Sequence, residues 1–132
     1  MLLMIELQET ILNQGRLSPM ERQAVTRLIM DLSRLPEVQS ILLFGSRARG
    51  SSTDHSDLDV AVVLDEANRS TAHAVEQAKW RALPLEAFMH VNLVTLSQKQ
   101  LESQCRFSST LHREGIPLWT RNKETRLRKS SA

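Results

Sequence analysis

Two seven-residue runs constrain this chain more than anything else in it: Val38–Phe44 (V-Q-S-I-L-L-F) and Leu58–Leu64 (L-D-V-A-V-V-L). Both are short, mostly apolar and rich in strand formers, so both read as buried strands. Helical patterns surround them. Leu3, Leu7 and Ile11 recur at four-residue steps before Gly15, a modest amphipathic helix over residues 1–14. Ser18, Pro19 and Glu21 form a Ser-x-x-Glu capping box with proline at the first helical position. Met20, Val25, Leu28, Ile29, Leu32 and Leu35 follow on one face until Pro36. Thr71–Leu83 predicts a helix with Val75, Ala78 and Ala82 inward and Pro84 at its end. Phe88–Leu96 predicts a third strand. Ser97 can cap a helix past Leu101, and Arg106–Glu114 continues or restarts it. Gly115 stops it, and Ile116–Trp119 adds a short last strand. Alternating elements of this kind indicate an α/β fold.

At 132 residues the chain is one domain, and 41% apolar residues suffice for a core. The domain is expected over residues 1–120, with residues 1–17 as an N-terminal helical extension and 121–132 as a basic, frayed or solvated tail. The single cysteine, Cys105, excludes a disulfide framework. No apolar run approaches the roughly 20 residues that a bilayer requires. The opening Met-Leu-Leu-Met-Ile meets Glu6 too soon for a signal peptide. A cytoplasmic location without membrane contact is expected. The tail carries five Lys/Arg against one Glu, net +4, while the whole chain is +2, leaving the body at −2. With three Phe, two Trp and no Tyr, there is little material for base stacking. Direct binding to nucleic acid is not expected from this composition.

The chemistry concentrates between Phe44 and Val63. A buried strand ends at Phe44, Gly45 permits a tight backbone, and Ser46 opens a short helical turn. N–H groups at such a turn cradle anions, and the Ser46 hydroxyl adds a donor. Arg47 and Arg49 bring positive charge close by, either to phosphate or to tie the loop to nearby carboxylates. Asp57 and Asp59 stand at i and i+2 where the second strand begins, so their carboxylates share one face. Paired acids repel unless a cation lies between them, and hard oxygen donors favour Mg²⁺ or Mn²⁺. A phosphate cradle beside a carboxylate pair is the layout for a metal–nucleotide complex.

Gly45-Ser46, ten residues, then Asp57-Leu58-Asp59 resembles the signature of the polymerase-β-type nucleotidyltransferase superfamily. The fuller string G-S-R-A-R-G…S-D-L-D is similar to its smallest branch, the minimal nucleotidyltransferases (MNT proteins). The likeness is strongest over residues 38–63 and extends to about Trp119. It implies a small mixed sheet flanked by helices. It also implies phosphate contact by Ser46, divalent ions held by Asp57 and Asp59, and transfer of AMP from ATP with release of pyrophosphate. The family takes a third carboxylate from the next core strand. Here that stretch is Val91-Asn92-Leu93-Val94, and Asn92 keeps the shape and an oxygen ligand without the charge or the basicity. Such proteins often accompany a helical HEPN protein in toxin–antitoxin pairs, so an antitoxin role is implied. An acceptor-binding domain is not expected in a chain this short, so the acceptor is a macromolecule, or homo-oligomerisation completes the site. The alternatives are an antitoxin that acts by binding alone and, with less support, an antibiotic adenylyltransferase.

Other residues carry plainer expectations. His55 is a solvated loop histidine, and His73, His90 and His112 are surface or half-buried. Cys105 is an inert packing thiol, and Trp80 and Trp119 are packing residues.

Overall fold

The computed structural model describes residues 17–50 and 57–121. Helix α1 (Pro19–Ser33) leads into β1 (Val38–Phe44), the short helix α2 (Gly45–Arg49) and β2 (Leu58–Leu64). Helices α3 (Arg69–Ala82) and α4 (Leu85–His90) precede β3 (Val91–Ser97); α5 (Gln98–Glu102), α6 (Arg106–Glu114) and β4 (Ile116–Thr120) follow. The four strands lie in the order β3-β2-β1-β4. β1 is antiparallel to β2 and β4, whereas β2 and β3 are parallel. The parallel pair needs a crossover, which α3 and α4 supply. The result is the mixed α/β sheet with flanking helices that the sequence predicts.

Every residue from Val60 to Leu64 is buried, because both faces of the sheet are covered. Leu58, Val60, Val62 and Leu64 point to the larger core, with Val25, Leu28, Ile29 and Leu32 of α1 and Val75 and Ala78 of α3. Ala61 and Val63 point the other way, to Leu96, Leu111 and the half-buried Phe107. Phe44 meets Phe107 edge-to-face there, ring centroids 5.3 Å apart. Asp59 shares the parity of Ala61 and Val63, so the functional face is this second one.

Local chemistry fixes the ends of the elements. The α1 capping box forms as expected: the Glu21 N–H donates to Ser18 Oγ at 3.2 Å and the Ser18 N–H to Glu21 Oε1 at 2.8 Å. Asn68 with Thr71 caps α3, and Ser97 with Gln100 caps α5. At the far end of α1, Arg121 donates to the carbonyls of Ser33 at 3.1 Å and Leu35 at 2.9 Å, and to Val38 at 2.8 Å. Carbonyls left over at a helix end draw such a cation, so the first residue of the basic segment is anchored. In β4, Pro117 lies on an edge, and Leu118 is the extra residue of a bulge against Ile41 and Leu42.

Four expectations change. Phe88, Met89 and His90 end α4, and the strand begins only at Val91. Leu85, Glu86, Ala87 and Met89 are good helix formers, and Pro84 starts their turn. Met20 stays out of the core at 74% exposure. Trp80 is largely exposed, its ring against Phe88 at 4.3 Å, whereas Trp119 is buried. Cys105 is exposed at the N-cap of α6, and bonds from Ser103 and Ser108 lower its thiol to about 7. The predicted helix over 1–14, His55 and residues 122–132 lie outside the described residues. No helix among the described residues is long and apolar enough to cross a membrane.

Candidate active site

Strand register assembles the site. Asp59 lies opposite Phe44 on one side and opposite Asn92 on the other. Parallel neighbours in register point the same way, so Asn92 joins Asp57 and Asp59 on one face. Its Nδ2 donates to Asp59 Oδ1 at 3.2 Å and lies 3.5 Å from Asp57 Oδ2. The position read from the sequence as that of a missing third carboxylate thus converges on the acid pair.

Gly45 follows Phe44 directly, with φ at +78°. A Cβ there would collide with the Asp59 carboxylate. Two requirements therefore select glycine: a left-handed backbone and a side-chain oxygen pressed against its Cα. The turn that carries Ser46 is brought against Asp59 by that close approach. Phe44 gives α2 no side-chain cap, and the Gly50 N–H closes the helix on the Ser46 carbonyl.

The two arginines have separate surroundings. Arg47 is buried and its guanidinium pairs with Glu21. Arg49 is half exposed and donates to Glu114 Oε1 at 3.0 Å, tying α2 to α6. Sequence left both between phosphate contact and loop fastening; the geometry gives each a carboxylate partner.

Two residues that sequence reasoning did not place in the site belong to it. His90 has Nδ1 3.3 Å from Asp57 Oδ1 and Nε2 3.2 Å from Glu21 Oε2. Glu21 therefore serves the α1 cap, Arg47 and His90 at once. Burial pushes its carboxyl upward, but the bonds from Arg47 and Ser18, the Arg47 charge and the His90 bond together hold it below the ordinary value. Glu21 and His90 stand 69 positions apart, so no local motif announces the contact.

The donor set suits a hard divalent cation. Asp57 and Asp59 present carboxylate oxygens on one face, and the Asp57 side chain is 52% exposed and accessible to a ligand. Among the described residues no three or more His, Cys, Asp or Glu are grouped to hold a metal by themselves. Mg²⁺ commonly binds through one or two carboxylates together with substrate phosphates, which is what this pair can offer.

A family model described as "Polymerase beta, Nucleotidyltransferase" matches residues 27–124. The chain belongs to that nucleotidyltransferase family. A crystal structure of a "putative nucleotidyltransferase" from Sulfolobus solfataricus superposes with a TM-score of 0.52 at 19% identity, covering 89% of this chain and 87% of that one. That likeness concerns the fold. A crystal structure of a toxin–antitoxin with AMP-PNP gives a TM-score of 0.49 at 25% identity, over 79% and 77% of the two chains. A Methanocaldococcus jannaschii protein named "Putative protein adenylyltransferase" is 56% identical over 32 residues, 24% of this chain. The chain spans 32% of that relative's length. Gly45-Ser46 and Asp57-x-Asp59 both lie within the segment that the family model matches. The Glu21–His90 contact begins upstream of the matched segment.

Proposed function

We propose that this nucleotidyltransferase transfers AMP from ATP, with Mg²⁺ or Mn²⁺, to a hydroxyl on a protein acceptor. The observation that carries this reading is the convergence of Asp57, Asp59 and Asn92 on one face against the Gly45-Ser46 turn. Asp57 and Asp59 hold the cation, and Ser46 contacts the nucleotide's phosphates, with Arg49 at the edge of the turn. When bound, the cation neutralises phosphate charge and polarises the phosphorus centre. The chain's own residues orient the phosphates and keep the acid pair in place. The name of the M. jannaschii relative supports a protein as acceptor. The MNT-like string supports a helical HEPN-type toxin as that protein, with this chain as its antitoxin.

Calorimetry with Mg²⁺ and a non-hydrolysable ATP analogue tests the site. Wild type binds in a metal-dependent way, and the Asp57→Ala/Asp59→Ala double variant does not. Equal binding by both overturns the assignment. Co-expression with the neighbouring reading frame tests the acceptor through a mass increase of one or more AMP units, abolished by Asp57→Ala.

A second reading has its own observation. Asn92 turns its amide nitrogen toward both acids, and an amide supplies neither charge nor a base. A cation there requires the amide to present its oxygen instead. On this reading the chain silences its partner by occlusion, and neutralisation persists in Asp57→Ala with no change in partner mass.

A further inference from the structure

The two acids are held in different ways. Asp59 sits within β2, is paired on both sides, and rests against Gly45 with Asn92 donating to it. Asp57 precedes the strand, which begins at Leu58, and its side chain is half exposed. It lies one residue before the first pair of the β2–β3 ladder, Leu58 opposite Val91. An exposed carboxylate in that setting samples several rotamers, and a cation that needs one of them binds more weakly.

His90 is placed to remove that freedom. Its Nδ1 reaches Asp57 Oδ1, while Nε2 meets Glu21 Oε2. Glu21 is itself fixed by the Ser18 N–H and by the buried Arg47 of α2. A carboxylate–imidazole–carboxylate chain thus runs from the N-terminus of α1 to the acid pair. Arg47 connects the same hub to the turn that carries Ser46. An ordinary helix cap uses only one of these contacts, and capping does not call for an imidazole between two acids. Partners that orient a metal-binding carboxylate from behind act on affinity without touching the ion.

We propose that Glu21, acting through His90, is a positioning residue that fixes the Asp57 carboxylate for the cation. The inference rests on the reading of Asp57 and Asp59 as a metal site, and it adds residues that lie outside the Gly-Ser and Asp-x-Asp motif. The arm also joins α1, the phosphate turn and the cation face, so a shift of α1 reaches both ligand-holding parts together.

The test is Mn²⁺ binding by the full chain in the presence of a non-hydrolysable ATP analogue, read from the spin-resonance signal of free Mn²⁺. His90→Ala and Glu21→Gln each raise the Mn²⁺ dissociation constant about tenfold. His90→Asn places an amide N–H near the lost Nδ1 but has no atom to reach Glu21, so it weakens Mn²⁺ binding as Glu21→Gln does. Ser18→Ala removes the cap hydroxyl, lowers the melting temperature and leaves the Mn²⁺ constant unchanged. His90 is partly exposed, so His90→Ala remains informative if Glu21→Gln, which disturbs the Arg47 pair, does not fold. Wild-type affinity in His90→Ala overturns the proposal. Equal weakening by Ser18→Ala and His90→Ala also overturns it and leaves a merely structural role, and wild-type affinity in His90→Asn overturns it because Asp57 is then fixed without Glu21. Failure of wild type itself to bind Mn²⁺ at millimolar concentration removes the metal reading of the acid pair, and the positioning role with it.

Discussion

Asp59 and Asp57 are two residues apart and face the same way, yet the fold secures them by opposite means. Asp59 is an internal position of a buried strand. Its backbone is paired with Phe44 and Asn92, and its carboxylate lies against the Cα of Gly45. Asp57 stands outside the ladder and is met by side chains, His90 at 3.3 Å and Asn92 at 3.5 Å. One half of the site is thus a consequence of sheet register, and the other is a network drawn from α1, α4 and β3. A strand position moves only if the sheet moves, whereas a network can be loosened one residue at a time.

The largest expected effect comes from the sheet-held half. On the proposed reading Asp59→Ala removes a cation ligand, so transfer is expected to fall by on the order of 10²–10³-fold, with little change in the melting temperature. A drop of less than about tenfold, read in single-turnover assays, would break the assignment of Asp59 to the cation.

Glycine substitutions sharpen the same contrast. Gly45 and Gly50 have nearly the same backbone angle, +78° and +75°, but only Gly45 has a neighbour where a Cβ would go. Gly50→Ala costs about 1 kcal/mol for the left-handed backbone alone. Gly45→Ala adds the displacement of the Asp59 carboxylate, bringing the loss to roughly 3 kcal/mol, and nucleotide binding goes with it. Equal costs in denaturant titrations would mean that the close approach at Gly45 carries no energy.

Asn92→Asp addresses the join between the halves. The substitution restores the third carboxylate and removes the donor that Asp57 and Asp59 now share. Three acids on one face repel, so metal-free stability falls by about 1 kcal/mol and is regained on adding Mn²⁺. The transfer rate rises about tenfold with little change in ATP affinity, because charge and basicity act on the chemical step. An unchanged or lower rate counts against Asn92 as the stand-in for the third acid.

The same contrast explains what could be read from the sequence. Strands β1 and β2, the capping box and the Gly45-Ser46…Asp57-x-Asp59 spacing are local signals, visible as periodicity and residue type. Asn92 was legible because its flanking residues, Val91-Asn92-Leu93-Val94, resemble the stretch from which the family takes its third carboxylate. His90 was not, because the run Phe88–Leu96 reads as one extended pattern, whereas the helix that starts after Pro84 carries on to His90 and the strand begins only at Val91. Glu21 looked complete as a cap residue. Its second partner lies 26 positions away at Arg47 and its third 69 positions away at His90, distances at which residue spacing carries no information.

The smallest effect separates Glu21 from the acids that it serves. Its carboxyl is held below the ordinary value near 4.5 although burial alone would raise it, so the folded state favours the charged form. A depressed acid stabilises the fold above its unfolded value, and that contribution is lost as pH falls through the folded one. The unfolded state takes up the proton first, so stability begins to decline near pH 4.5 and continues to decline below it. Glu21→Gln removes this component. Its unfolding free energy is lower than that of wild type at pH 7, and the two converge as the solution is acidified. Denaturant midpoints measured from pH 7 to pH 3 in wild type and variant provide the check. Parallel curves would mean that Arg47 and His90 contribute nothing to the charged form. Ser18→Ala is the companion measurement. Loss of the hydroxyl leaves the Glu21 carboxylate with its Ser18 N–H, Arg47 and His90 partners, so its acid profile follows wild type at a lower overall stability. A Ser18→Ala profile as flat as that of Glu21→Gln would assign the acid dependence to the cap rather than to the network that reaches Asp57.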